Sequence, residues 1–251
     1  MLEALLQAEI YQMFLTFCRV GTALMVLPAF NSNNISPRFR LIAALAISVI
    51  VTPLVEGFPN PPGQPAVMLF QIFSEVTVGF FIGSLARIMS SALHVAGIIV
   101  SMQSSLTQAV LFDPNQSAQG AVLGNFMQLM GILLIFAFNL HHIMIYAIVD
   151  SYFVFPIGNP LPYGDFANSA AETVSRSFAV GVKIASPMIV VGILVNLSAG
   201  LLARLMPAFQ VYFVLLPAQV TLSIFIFMAT LSSSMMLYME YLRGSLDTFL
   251  R

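Results

Sequence analysis

The sequence predicts an all-α membrane protein made of helical hairpins and broken helices, and three observations predict it. Of 251 residues, 59% are hydrophobic and only 8% charged, with a mean hydropathy of +0.94. Soluble domains are typically about 45–50% apolar and about 25% charged, so this chain has too little charge to solvate a globule of its size. Second, the apolar residues fall into long runs separated by Pro-, Gly- and Asn-rich turns, and a membrane helix needs roughly 20 such residues. Third, no repeated strand alternation is present, which argues against an outer-membrane barrel. The length suits a single domain spanning residues 1–251.

The runs are residues 10–30, 41–55, 66–86, 90–112, 121–149, 178–203 and 207–239. Glu3 and Glu9 precede the first run and no basic residue comes before Arg19. A secretory signal needs a positive start, so the first run is expected to stay in the mature protein. Residues 31–37 (Asn-Ser-Asn-Asn-Ile-Ser-Pro) form a turn by composition, as do residues 58–65, with four prolines, and 113–117. Run 41–55 is short for a span, and run 90–112 is rich in Ser and Gln. Runs 121–149 and 207–239 are too long for a simple crossing, and the second is expected to break at Pro217. The longest polar stretch, residues 156–165, leads into Glu172 and Arg176. Nine basic residues spread this thinly do not fix an orientation.

Several function classes are excluded. A net charge of −1 offers no basic face to a nucleic acid. The lone Cys18 cannot form an intrachain disulfide or a cysteine metal site. Phosphate-loop, zinc-protease and nucleophile-elbow motifs are absent, and the single lysine, Lys183, lies in no phosphate loop. No enzyme activity and no cofactor are expected.

Charges inside the apolar runs carry the first functional signal. Arg19, Glu75 and Lys183 each cost about 2.5–3.5 kcal/mol at a bilayer centre unless they snorkel, face water or meet a partner. They are expected to pair with partner chains or line a pathway. Glu75 and Arg87 are not mates, since twelve helical residues separate them by about 18 Å along the axis. Glu75, Gly79 and Gly83 share a helix face, and Gly79-Phe-Phe-Ile-Gly83 permits close helix packing. Gly120 and Gly124 repeat that spacing. His141-His142 point about 100° apart on a helix and lack a third ligand, so they read as a helix-end pair rather than a metal site. The many methionines suit irregular packing or a deformable seal. The most unusual segment is 97–120, where uncharged polar residues and an Asp113-Pro114 break sit between apolar runs. Irregular backbone at membrane depth survives only when buried in protein or lining a wet cavity, so this is either a surface loop or a re-entrant loop closing a pore.

These residues, in their order and spacing, resemble the FliR family of flagellar type III export-gate proteins. The landmarks are Arg19, Pro28, Phe30, Pro37 and Arg40, then Glu75, Gly79, Gly83 and Ala96-Gly97. They continue through Gln103, Asp113-Pro114, Ser117, Leu123, Asn139-Leu-His-His142, Asp150-Ser151 and Pro156-Ile-Gly158, and end with Pro187, Asn196, Arg204, Pro207, Phe213 and Pro217. Three positions depart from the family pattern: Ser105 and Leu215 replace a usual Gly, and Ala208 a usual Gln.

The resemblance implies a non-enzymatic subunit of a hetero-oligomeric protein-export gate in the bacterial inner membrane, at the flagellar basal body. The implied partners are homologues of FliP, FliQ and FlhB, the lipid membrane, and unfolded flagellar subunits in transit. By the same resemblance, Leu106, Gln108, Val110, Leu111, Phe112, Asp113, Pro114, Asn115, Gln116 and Ser117 form a pore plug. Arg19, Glu75, Gly79, Gly83, Lys183, Arg204, Pro207 and Pro217 are the expected assembly contacts. The equivalent subunit of a virulence injectisome is a close alternative. A small-molecule transporter is a distant one, since no internal repeat joins the two halves.

Overall fold

The computed structural model describes residues 2–28, 30–31, 35–55, 57–59, 61–105, 122–206 and 210–249. Within them lie seven α-helices and no strand: α1 (Leu2–Val26), α2 (Pro37–Val51), α3 (Pro65–Gln103), α4 (Val122–Ala137), α5 (Leu140–Val154), α6 (Tyr163–Leu205) and α7 (Val211–Phe249). The expected all-α membrane class is observed. Four helical segments are long and apolar enough to cross a bilayer, and the bent α4–α5 pair adds a fifth.

Local sequence explains most boundaries. The Ser36 hydroxyl accepts the Phe39 N–H at 3.3 Å and Pro37 occupies the first turn, a standard helix start for α2. A 3₁₀ turn, Thr52–Leu54, extends that rod to the 18 residues Pro37–Leu54, so the segment that looked short reaches spanning length. Arg40 ties down the preceding turn, donating to Asn31 Oδ1 and to the Ile35 carbonyl, each at 3.2 Å.

Two expectations are corrected. Runs 66–86 and 90–112 are not separate helices, because α3 passes unbroken through Arg87-Ile-Met89 and ends at Gln103. One arginine does not stop a helix, whereas a proline or glycine pair at that point would have. Nor does Pro217 break the last run: it lies inside α7, as Pro187 lies inside α6. A proline removes one backbone donor, and in apolar surroundings no water competes for the remaining ladder.

The overlong run 121–149 does break. Asn139 adopts φ 58°, ψ 21° between α4 and α5, which diverge by 74°. Only Gly, Asn and Asp visit this left-handed region routinely, and other residues pay about 1–2 kcal/mol. Asn139→Gly should therefore leave thermal stability in detergent unchanged or slightly raised. Asn139→Val should lower it by about 1–2 kcal/mol.

The helices pack as two compact units. The first comprises Met1–Met89, Ile135–Val174 and Gly244–Arg251. Its core takes one stripe of α1 (Leu15, Val20, Ala23, Leu24) with Val78 and Leu85 of α3 and Met144 and Ile148 of α5. Phe166, at the start of α6, stacks on Phe81 at 4.0 Å between centroids and meets Phe155 edge-on at 5.1 Å. The second comprises Ser90–Leu134 and Ser175–Arg243. There Leu93, Ala96 and Val100 of α3 are buried together with Met127 of α4, Met188 of α6 and Tyr238 of α7.

Candidate functional site

The most costly group in the first unit is also the best satisfied. Arg19 and Glu75 are 1% and 0% exposed, so neither charge is hydrated. Arg19 grips Glu75 with a fork: Nε donates to Oε2 at 2.7 Å and Nη2 to Oε1 at 2.8 Å. Nη1 donates to Ser151 Oγ at 3.1 Å, and Nη2 also to the Phe155 carbonyl at 2.9 Å. The guanidinium lies 3.9 Å from the centroid of the Tyr152 ring. One arginine on α1 thereby joins α3 and the C-terminal turn of α5. One turn before Glu75, the Tyr11 hydroxyl hydrogen-bonds the Gln71 side chain, so polar links between α1 and α3 continue along the contact.

Glycine sets the spacing of that contact. A Cβ on Gly79 would strike the Arg19 carbonyl oxygen and Thr22 Oγ1, and one on Gly83 would lie 2.8 Å from the Ala23 carbonyl oxygen. The shared face of Glu75, Gly79 and Gly83 is therefore the α1-facing side of α3. The expectation that Arg19 and Glu75 meet other chains is replaced by a pairing within this one. No periodic signal relates residues 56 positions apart in sequence, and Ser151 and the Phe155 carbonyl were missed for the same reason.

In the second unit a polar node sits where α3 ends. Gln219, on α7, donates from Nε2 to the Gln103 carbonyl at 3.0 Å and satisfies one of the carbonyls a helix end leaves unpaired. Gly192, on α6, lies under the Gln103 side chain, which a Cβ there would displace. Two residues on, Ser105 holds φ 59°. This left-handed position is one that glycine occupies freely.

The proposed plug residues Leu106, Gln108, Val110, Leu111, Phe112, Asp113, Pro114, Asn115, Gln116 and Ser117 lie outside the described residues, as does Pro207. Lys183, Arg204 and Pro217 are exposed. His141 and His142 stand 4.1 Å apart between ring centroids beside Phe136. No cluster of metal-ligating side chains occurs among the described residues.

A family model described as "Bacterial export proteins, family 1" matches residues 10–244. The chain belongs to this family. A flagellar biosynthetic protein FliR from Caulobacter vibrioides is 36% identical over 96% of both chains. FliR proteins of Bacillus subtilis and Escherichia coli are 27% and 26% identical, over 87% and 84% of this chain and 85% and 80% of theirs. Both nodes lie within the matched region, and the Arg19–Glu75 pair builds the helical scaffold of this bacterial export protein.

Proposed function

We propose that this chain is a non-enzymatic subunit of the flagellar type III export gate in the bacterial inner membrane, at the basal body. In this reading it joins homologues of FliP and FliQ around a conduit for unfolded flagellar subunits, with an FlhB homologue docked on the assembly. Full-length similarity to FliR proteins carries the reading. The surface agrees with it. On α6 alone, Val190, Leu194, Leu197, Leu201 and Leu205 form an exposed stripe at helical spacing, which suits burial against other helices. Exposed Lys183, Arg204 and Pro217 remain available to other subunits, and Pro207 stays among the assembly contacts on the family resemblance.

By the same reading, the segment around Asp113-Pro114 stoppers the conduit. Deleting residues 110–119 should leave the complex assembled but make the membrane leak ions or alter secretion. Affinity purification in mild detergent, with mass identification of co-purifying chains, tests assembly, and ion flux in cells tests the seal. A lone monomer after purification would overturn the subunit assignment. A tight membrane with normal export after the deletion would overturn the plug.

A further inference from the structure

In the second unit, the last turn of α3 is held by two other helices. Within the turn, the Ser104 N–H donates to the Val100 carbonyl at 2.9 Å and the Ser104 hydroxyl to the Ser101 carbonyl at 3.0 Å. The Gln103 carbonyl is met instead from α7, by the Gln219 amide at 3.0 Å. On the α6 side, Gly192 leaves room for the Gln103 side chain. A Cβ on Gly192 would strike Oε1 and lie 2.9 Å from Cδ and 3.2 Å from Cβ of Gln103. The amide end could swing aside, but Cβ is fixed to the backbone, so the seat is matched to this residue. Ser101, Ser104, Ser105 and Gln219 are buried, so water replaces these bonds only if the turn opens.

This turn sets a direction. Ser105 takes φ 59°, so the chain leaves the helical path directly beyond the held residue. The next residue in sequence is Leu106, the first of the proposed plug. A side chain can swing without moving the chain, whereas a carbonyl is part of it. Bonding Gln103 through its carbonyl therefore fixes the backbone itself, two residues before the turn.

We infer that Gln219 and Gly192 form a latch on the exit of α3 and are positioning residues for the plug, an inference that rests on the export-gate reading. With the latch closed, the chain leaves Ser105 in one direction. Without the Gln219 donor, the Gln103 carbonyl is buried and unpaired, and the turn relieves that cost by opening to water. The plug then loses its fixed base and the seal weakens.

Two readouts, taken at equal amounts of assembled complex, test this. Hydrogen exchange of the Ser104 amide in the purified complex reports the turn, and ion flux in cells reports the seal. Gln219→Met keeps the side-chain length and removes the donor. Ser104 exchange should quicken about tenfold, the equivalent of about 1.4 kcal/mol, and ion flux should rise toward that of the 110–119 deletion. Gly192→Ala should do the same by displacing Gln103. Adding Gln103→Ala to it should restore most of the seal, because only the 3.2 Å contact with Cβ remains. A second truncation would not rescue a simple loss of packing. Ser104 exchange at the wild-type rate in Gln219→Met would overturn the latch. So would tight membranes in both single variants when the 110–119 deletion leaks, or a leak seen only where assembled complex is lost. A deletion that stays tight would sink the plug reading and the role of the latch in sealing, while faster Ser104 exchange in Gln219→Met would still establish the latch itself.

Discussion

Arg19→Ala should destabilise the protein by about 3–5 kcal/mol, the usual cost of removing one partner of a buried ion pair. The loss is large because Glu75, at 0% exposure, has no route to water and no substitute cation in the fork. The same change frees the Phe155 carbonyl and leaves the Tyr152 ring without its cation. Thermal unfolding in detergent measures it: at roughly 2–4 °C per kcal/mol, the midpoint should fall by about 6–20 °C. Arg19→Lys keeps the charge but cannot reproduce the fork, so it should fall between the wild type and Arg19→Ala. The double variant Arg19→Met/Glu75→Leu removes both charges together and should recover most of the loss. If Arg19→Ala cost less than about 1 kcal/mol, as an exposed pair would, the central role given to this node would fail.

The same pair shows how far the sequence could be read. Membrane character and helical class follow from composition and run length, which are properties of single residues and their neighbours. Arg19 and Glu75 were legible as costly charges that needed a partner, but which partner is a tertiary fact. The shared face of Glu75, Gly79 and Gly83 was legible from helical spacing, yet only packing shows that α1 covers it. Run 121–149 was visibly too long, and Asn139 is the residue able to take the left-handed turn that divides it. Pro217 misled because proline propensity is calibrated in water, where a broken ladder is readily solvated. The positive φ of Ser105 is a backbone fact that no run of apolar residues announces.

Gly97→Ala should be the most damaging single-methyl addition in the second unit, while Gly124→Ala, on the opposing helix, should cost little. The two glycines face each other where α3 crosses α4, but the crossing is not symmetric. A Cβ on Gly97 would drive into the Gly124 backbone, meeting its Cα, with its nitrogen at 2.9 Å and its carbonyl carbon at 3.3 Å. Backbone cannot rotate away as a side chain can, so the helices must separate and unpack Leu93, Ala96 and Met127, for about 1–3 kcal/mol. A Cβ on Gly124 finds its nearest neighbour, the Gly97 carbonyl carbon, at 3.6 Å, which is ordinary contact. There the helix-propensity gain of alanine, up to about 1 kcal/mol, is free to act. Unfolding midpoints of the two variants decide the matter. Equal losses would mean that α3 and α4 approach symmetrically, contrary to this geometry. A spacing pattern of small residues treats both glycines alike, so their difference tests the crossing itself.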